Sequence, residues 1–269
     1  MLVILGADWL TKGASALARR FNMSELLIGL TIVGFGTSCP ELVVSLTGAL
    51  QGNADVAVGN VVGSNLFNTL LILGVTGLTA PLVITRNNAR RDIPIALLAT
   101  IILVGMSAIG NDITRLEGVI MLALFAAYIY SCFKNDTGLD ESDEVDKKEK
   151  SIFVSILFII AGLAGLVFGG QLFVDNATLL ARQIGVSDKV IAITLLAGGT
   201  SLPELATCVV AAMKGKGQLA LGNVLGSNVF NIFFCIKFFA YFSEKIGGYM
   251  AQVNQICWAI ATVLLVGCG

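Results

Sequence analysis

Apolar runs of about 20 residues, separated by short polar and charged clusters, recur along the whole chain. A helix of about 20 apolar residues spans the roughly 30 Å hydrocarbon core of a bilayer. The pattern predicts helices throughout, at residues 2–20, 24–50, 55–78, 92–110 and 114–133, then at 151–182, 187–213 and 218–242, with a last apolar run over 249–268. The charged stretch Lys134–Lys150, KNDTGLDESDEVDKKEK, reads as a solvated linker. It divides the chain into a first unit, 1–133, an acidic linker, 134–150, and a second unit, 151–269. The opening residues read as the tail end of a span, interrupted by Asp8 and Lys12, and not as a cleavable leader.

Composition strengthens this picture. Only 13% of the 269 residues are charged and none is histidine, whereas a soluble domain carries about 25% charged residues. The expected class is all-α: a polytopic bundle of membrane helices. The net charge of −1 gives no reason to expect nucleic acid, because the charges are confined to loops. No GxxxxGK[ST] motif for a nucleotide occurs. The six cysteines lack metal or redox spacing and read as small apolar residues. One set of predicted loops holds eleven lysines and arginines and the opposite set four. The richer side is expected to be cytoplasmic, with the N-terminus outside and the 134–150 linker inside.

The chain also repeats itself. GTSCPELVVS at Gly36–Ser45 returns as GTSLPELATC at Gly199–Cys208, and GNVVGSNLFN at Gly59–Asn68 returns as GNVLGSNVFN at Gly222–Asn231. One shift of 163 residues aligns both pairs, and 25 of the 63 positions from Gly6 to Asn68 then match. Five predicted spans separate the starts of the two copies. An odd number makes the copies enter the membrane from opposite sides, the inverted symmetry of transporters that alternate access around a central site.

Each copy sets hard oxygen donors in an apolar background. Pro40 removes one helical donor and clashes with the carbonyl of Gly36, which loosens the neighbouring carbonyls, Gly34 among them. Such backbone is tolerated at membrane depth where it lines a cavity or binds something. Glu41 follows the break, and Ser38, three residues before it, is expected on the same helix face. The second copy repeats the design with Ala197, Thr200, Ser201, Pro203 and Glu204. In the second motif Ser64 and Asn68 stand four apart, as do Ser227 and Asn231. Each residue has an ordinary alternative: a hydroxyl bonded to its own helix, an asparagine joining helices, a glycine for close packing. The joint, doubled pattern points instead to a cation pathway. Oxygen-only donors suit calcium or sodium, and no thiolate or imidazole cluster suggests zinc or copper.

These paired motifs resemble the two α-repeats of the calcium:cation antiporter superfamily, and most of all the prokaryotic sodium/calcium exchangers. The resemblance covers residues 2–235. It implies ten helices in two inverted five-helix halves, with the first and sixth spans forming a sliding pair against a rigid core. It carries ion ligands onto Thr37, Ser38, Glu41, Ser64 and Asn68, onto Thr200, Ser201, Glu204, Ser227 and Asn231, and onto the backbone carbonyls of Gly34 and Ala197. The chain departs from the pattern in three places. Some relatives carry Asp where Asn231 stands, so this site holds two formal charges and potassium co-transport is disfavoured. The first span is short by about ten apolar residues, and beyond Phe234 the two repeats diverge, with Lys237 inside a predicted span.

The resulting expectation is a monomeric sodium/calcium antiporter of the plasma membrane, not an enzyme, with Ca2+ and Na+ as substrates, lipid as its surroundings and no cofactor. Calcium/proton exchange at the same two glutamates is the alternative. A channel is disfavoured by inverted duplication in one short chain. An intramembrane hydrolase would need a nucleophile with its base, which the motifs do not supply.

Overall fold

The computed structural model describes residues 1–51, 54–109, 115–136, 138, 151–187 and 197–235, and all its regular elements are helical. The last apolar run, most of the linker and the start of the seventh run lie outside the described residues.

Helix α1, Leu2–Arg20, ends in Arg19 and Arg20, two cations suited to the negative end of a helix dipole. The chain turns through Asn22, at a φ of 52°. Ser24 then caps α2, Glu25–Thr37, its hydroxyl accepting the Leu27 N–H at 3.1 Å. The Ser24 N–H donates to Asp136 at 3.1 Å, so the beginning of the linker holds the beginning of α2.

Helix α3, Cys39–Leu50, leaves α2 at a bend of 45°. The cause is local. Pro40 sits in the first turn of α3, where its missing N–H costs nothing, and Ser38 takes up the break at φ −84°, ψ 5°. Ser201, before Pro203, has φ −88° and ψ 5°. The two repeats therefore break in the same way.

Helix α4 runs over Ala54–Leu66 and continues through a π turn, Phe67–Ile72, into Leu73–Thr79. Helices α5, Ile93–Ile109, and α6, Arg115–Lys134, complete the first half. The second half contributes α7, Ile152–Gln183, the single turn Ala197–Gly199, α8, Leu202–Met213, and α9, Gly217–Phe230, which passes into a π turn, Asn231–Cys235. The sequence pattern predicts regular helix through these two π turns and through a third, Gly29–Val33 within α2, while a fourth, Asn88–Asp92, leads into α5. Asn68 and Asn231 each lie in one of these four turns, and such widened turns recur at functional sites. Gly59–Thr79, Glu117–Lys134 and Ile152–Gln183 are each long and apolar enough to cross a membrane, and α2 with α3 makes one broken span.

Two close crossings organise the bundle. Helix α1 lies against α7 through glycines: a Cβ on Gly6 would stand 2.7 Å from the Leu166 nitrogen, and one on Gly162 2.5 Å from the Leu10 nitrogen. Helix α2 crosses α9 in the same manner. There a Cβ on Gly222 would meet the Leu26 carbonyl oxygen at 2.5 Å, and one on Gly226 the Leu30 oxygen at 2.3 Å. Only glycine permits such backbone contact. Helix α9 is buried at every residue from Leu219 to Phe230, the polar Asn223, Ser227 and Asn228 included. Phe35, Phe230 and Phe234 stack beside the crossing, with centroids 4.8 and 4.9 Å apart.

Candidate functional site

The second crossing brings the two helix breaks together. Glu41 begins α3 and Glu204 begins α8, and each is 1% exposed. Their hydroxyl partners are exchanged between the repeats. Ser38 donates to Oε1 of Glu204 at 3.0 Å, and Ser201 donates to Oε1 of Glu41 at 3.0 Å. The sequence expectation placed Ser38 on one face with Glu41. The bend at Ser38 interrupts that face and turns the hydroxyl to the opposite carboxylate instead.

Thr200 and Ser64 lie beside the Glu41 carboxylate, and Thr37 beside that of Glu204. The Thr37 hydroxyl also stands 3.0 Å from both the Val33 carbonyl and Oδ1 of Asn223. Ser227 donates to the Gly34 carbonyl at 3.2 Å; that carbonyl also accepts the Ser38 N–H at 3.2 Å, so it keeps the helical bond that Pro40 was expected to loosen. Ala197 opens the short turn that leads into the second break. Asn68 and Asn231 join an amide cluster: Asn68 donates to Asn228 and Asn231 to Asn65, each at 3.1 Å.

Several of these oxygens remain unsatisfied. Oε2 of Glu41, Oε2 of Glu204, the Ser64 and Thr200 hydroxyls and Oδ1 of Asn68 are buried without a hydrogen-bond partner. Buried oxygens of this kind are costly unless something positive meets them. They are anionic or neutral acceptors, so a desolvated cation suits them. Among the described residues no cluster of three or more His, Cys, Asp or Glu occurs. The centre therefore carries two carboxylates and is otherwise built from hydroxyl, amide and carbonyl oxygens. That mixture fits a hard cation bound in flexible geometry.

A cavity of about 830 Å3 reaches this centre from one side. Its wall includes Ser64, Thr200, Pro40 and Pro203 from the two repeats and Val167, Gly170, Gln171 and Val174 from α7. An ion arriving by this route would pass along α7 before meeting the hydroxyls.

Four further asparagines belong to the surroundings of the site and are absent from the sequence-derived set. Asn60 donates to the Glu41 carbonyl at 3.0 Å and to Ser45 at 2.7 Å, while Asn223 faces Thr37 and donates to Cys208 at 3.3 Å. Asn65 and Asn228 hold the amide cluster. All four stand at identical places in the duplicated GNVxGSN stretch, which is the signal that singles them out.

Comparison with known proteins identifies the family and the fold. The family model described as sodium/calcium exchanger protein matches residues 1–134 and 154–268. The second match continues past Phe234, where the internal repeats diverge. The chain is 39% identical over 240 residues to the "Putative antiporter CaxA" of Alkalimonas amylolytica, covering 86% of this chain and 75% of that one. It is 31% identical over 272 residues to the "Sodium/calcium exchanger MaX1" of Methanosarcina acetivorans, covering 87% and 78%. A solved structure of the sodium-calcium exchanger NCX_Mj, soaked with Na+ and Ca2+, superposes with a TM-score of 0.85 at 31% identity over 99% of this chain and 85% of its own. The chain belongs to the sodium/calcium exchanger family.

Proposed function

We propose that this membrane carrier exchanges sodium for calcium at the site between the two helix breaks. Glu41 and Glu204 carry the charge. Thr37, Ser38, Ser64, Asn68 and Gly34 in the first repeat, and Thr200, Ser201, Ser227, Asn231 and Ala197 in the second, supply neutral oxygens. The observation that carries this reading is the pair of buried carboxylates, one from each repeat, each bonded to the other repeat's serine and each left with one unpartnered oxygen. The names of MaX1 and NCX_Mj support sodium as the counter-ion.

Charge balance supplies the mechanism. One calcium or two sodium ions neutralise two carboxylates, so both loaded forms present a neutral centre. The unloaded form buries two uncompensated charges, which resists passage of the empty carrier. Alternation then follows from the inverted repeats, with α1 and α7 moving together against the remaining helices. We place the protein in the plasma membrane as a monomer, N-terminus outside and linker inside, as the distribution of lysine and arginine supports.

The test is calcium uptake into proteoliposomes against an outward sodium gradient. Glu41→Gln and Glu204→Gln should each abolish sodium-dependent uptake while the protein still inserts and elutes as a folded species. Wild-type uptake in either variant would refute the site. Uptake that follows a proton gradient and ignores sodium would assign the counter-ion to protons.

A further inference from the structure

The two asparagines proposed as ligands pose a problem of orientation. A carboxamide has an oxygen at one end and an N–H2 at the other, and only the oxygen can meet a cation. Nothing in Asn68 or Asn231 alone selects the end that faces the site. The neighbouring amide cluster does, and its sense is fixed by backbone groups that can only accept.

The first line of contacts starts at the Asn228 carbonyl. Asn65 lies 3.1 Å from it through its side-chain nitrogen. A backbone carbonyl cannot donate, so this end of Asn65 must be N–H2 and the other end must be Oδ1. That Oδ1 stands 3.1 Å from Asn231. Asn231 must therefore present its N–H2 to Asn65, and its own oxygen turns the other way. There its contact is the thiol of Cys235 at 3.8 Å, a weak donor.

The second line starts at the Asn65 carbonyl, which accepts the Thr69 hydroxyl at 2.8 Å. With its proton spent, Thr69 can only accept from Asn228, 3.0 Å away. Asn228 thus presents N–H2 to Thr69 and Oδ1 to Asn68, at 3.1 Å. Asn68 must donate, and its Oδ1 is left buried without a partner. Each repeat's asparagine is oriented by one from the other repeat, and Asn65 and Asn228 are themselves only 3% and 5% exposed.

We propose that Asn65 and Asn228, with Thr69, are positioning residues that lock the carboxamides of Asn68 and Asn231 with their oxygens available to the transported cation. The proposal rests on the reading of Asn68 and Asn231 as ligands. Groups that orient a metal ligand typically matter by about ten- to a hundredfold in affinity.

The experiment uses calcium binding to the purified full chain in detergent, by titration calorimetry, with thermal unfolding as a check on folding. Asn65→Leu frees the amide of Asn231 to rotate and should weaken calcium binding about tenfold. In an Asn231→Asp background both terminal atoms are oxygens, so orientation no longer matters and Oδ1 of Asn65 faces an acceptor; there the same Asn65→Leu change should not weaken binding and should instead relieve that contact. The mirror pair, Asn228→Leu with and without Asn68→Asp, should behave alike. Alanine at 65 and 228 replaces leucine should the leucine variants fail to fold. Equal losses in both backgrounds would show that Asn65 acts through packing alone and would overturn the proposal, as would no loss in either. Asn231→Leu with wild-type affinity would instead remove Asn231 from the ligands, and so sink the underlying reading before the orientation argument is reached.

Discussion

The hydroxyls at the centre of the molecule serve the carboxylate of the opposite repeat. Ser38 to Glu204 and Ser201 to Glu41 are matched in length, and the two serines share one backbone conformation at the breaks. A hydrogen bond to a charged group contributes about 1.5–3 kcal/mol, and its loss leaves a buried charge poorer by one donor. Ser38→Ala and Ser201→Ala should therefore weaken calcium binding by a similar factor, about tenfold or more. Cys39→Ala, beside the same break, is the control: its thiol donates to the Phe35 carbonyl at 3.4 Å and not to a carboxylate. Calcium titration of the three purified variants decides the point. A wild-type affinity in one serine variant with a loss in the other would contradict the exchanged, symmetric arrangement.

Between helices, glycine sets the distances on which the site depends. A Cβ on Gly226 would be 2.3 Å from the Leu30 oxygen, backbone that has no rotamer to escape into. Gly226→Ala should force α2 and α9 apart and cost about 1–3 kcal/mol or more, read as a lowered thermal midpoint in detergent together with weakened calcium binding. Gly74→Ala, with no atom of the described residues within 4 Å of the added carbon, should change neither. Equal effects would mean that the α2–α9 contact does not set the site. Much of this level was legible beforehand. Apolar run lengths located α1, α6 and α7 to within a residue or two, and Pro40 and Pro203 marked the breaks because a missing N–H acts locally. The π turns were not legible, since a widened turn leaves the apolar pattern almost unaltered. Nor was the exchange of serines, which depends on how two distant segments cross. Asn65 and Asn228 lay in plain view inside the duplicated motif. Spacing on one helix drew attention to Asn68 and Asn231, and spacing says nothing of contacts between helices.

Across the whole molecule, the site belongs to neither half. Each repeat brings one carboxylate and the serine that bonds the other repeat's carboxylate, so each is incomplete without the other. Ion pairs also tie the halves together where the chain carries charge. Lys214, at the end of α8, meets Asp8 of α1, which also pairs with Lys12 at 2.7 Å, and Lys216 meets Glu25 at the start of α2. The central pair differs from these because no lysine or arginine among the described residues forms a salt bridge with Glu41 or Glu204. Transported ions are then the natural compensation, and this predicts coupling. Stranding a buried charge costs several kcal/mol, and about 3 kcal/mol corresponds to roughly a hundredfold in rate. Radioactive calcium loaded into proteoliposomes should leave roughly a hundredfold more slowly into a chelator solution free of sodium than into one containing it. Acidifying the sodium-free medium separates the two counter-ions. Protons that can replace sodium on the glutamates would restore fast efflux, whereas a carrier confined to sodium would stay slow. Rapid efflux at neutral pH with neither sodium nor calcium outside would mean that the empty carrier crosses freely. The two buried carboxylates would then not be what enforces exchange.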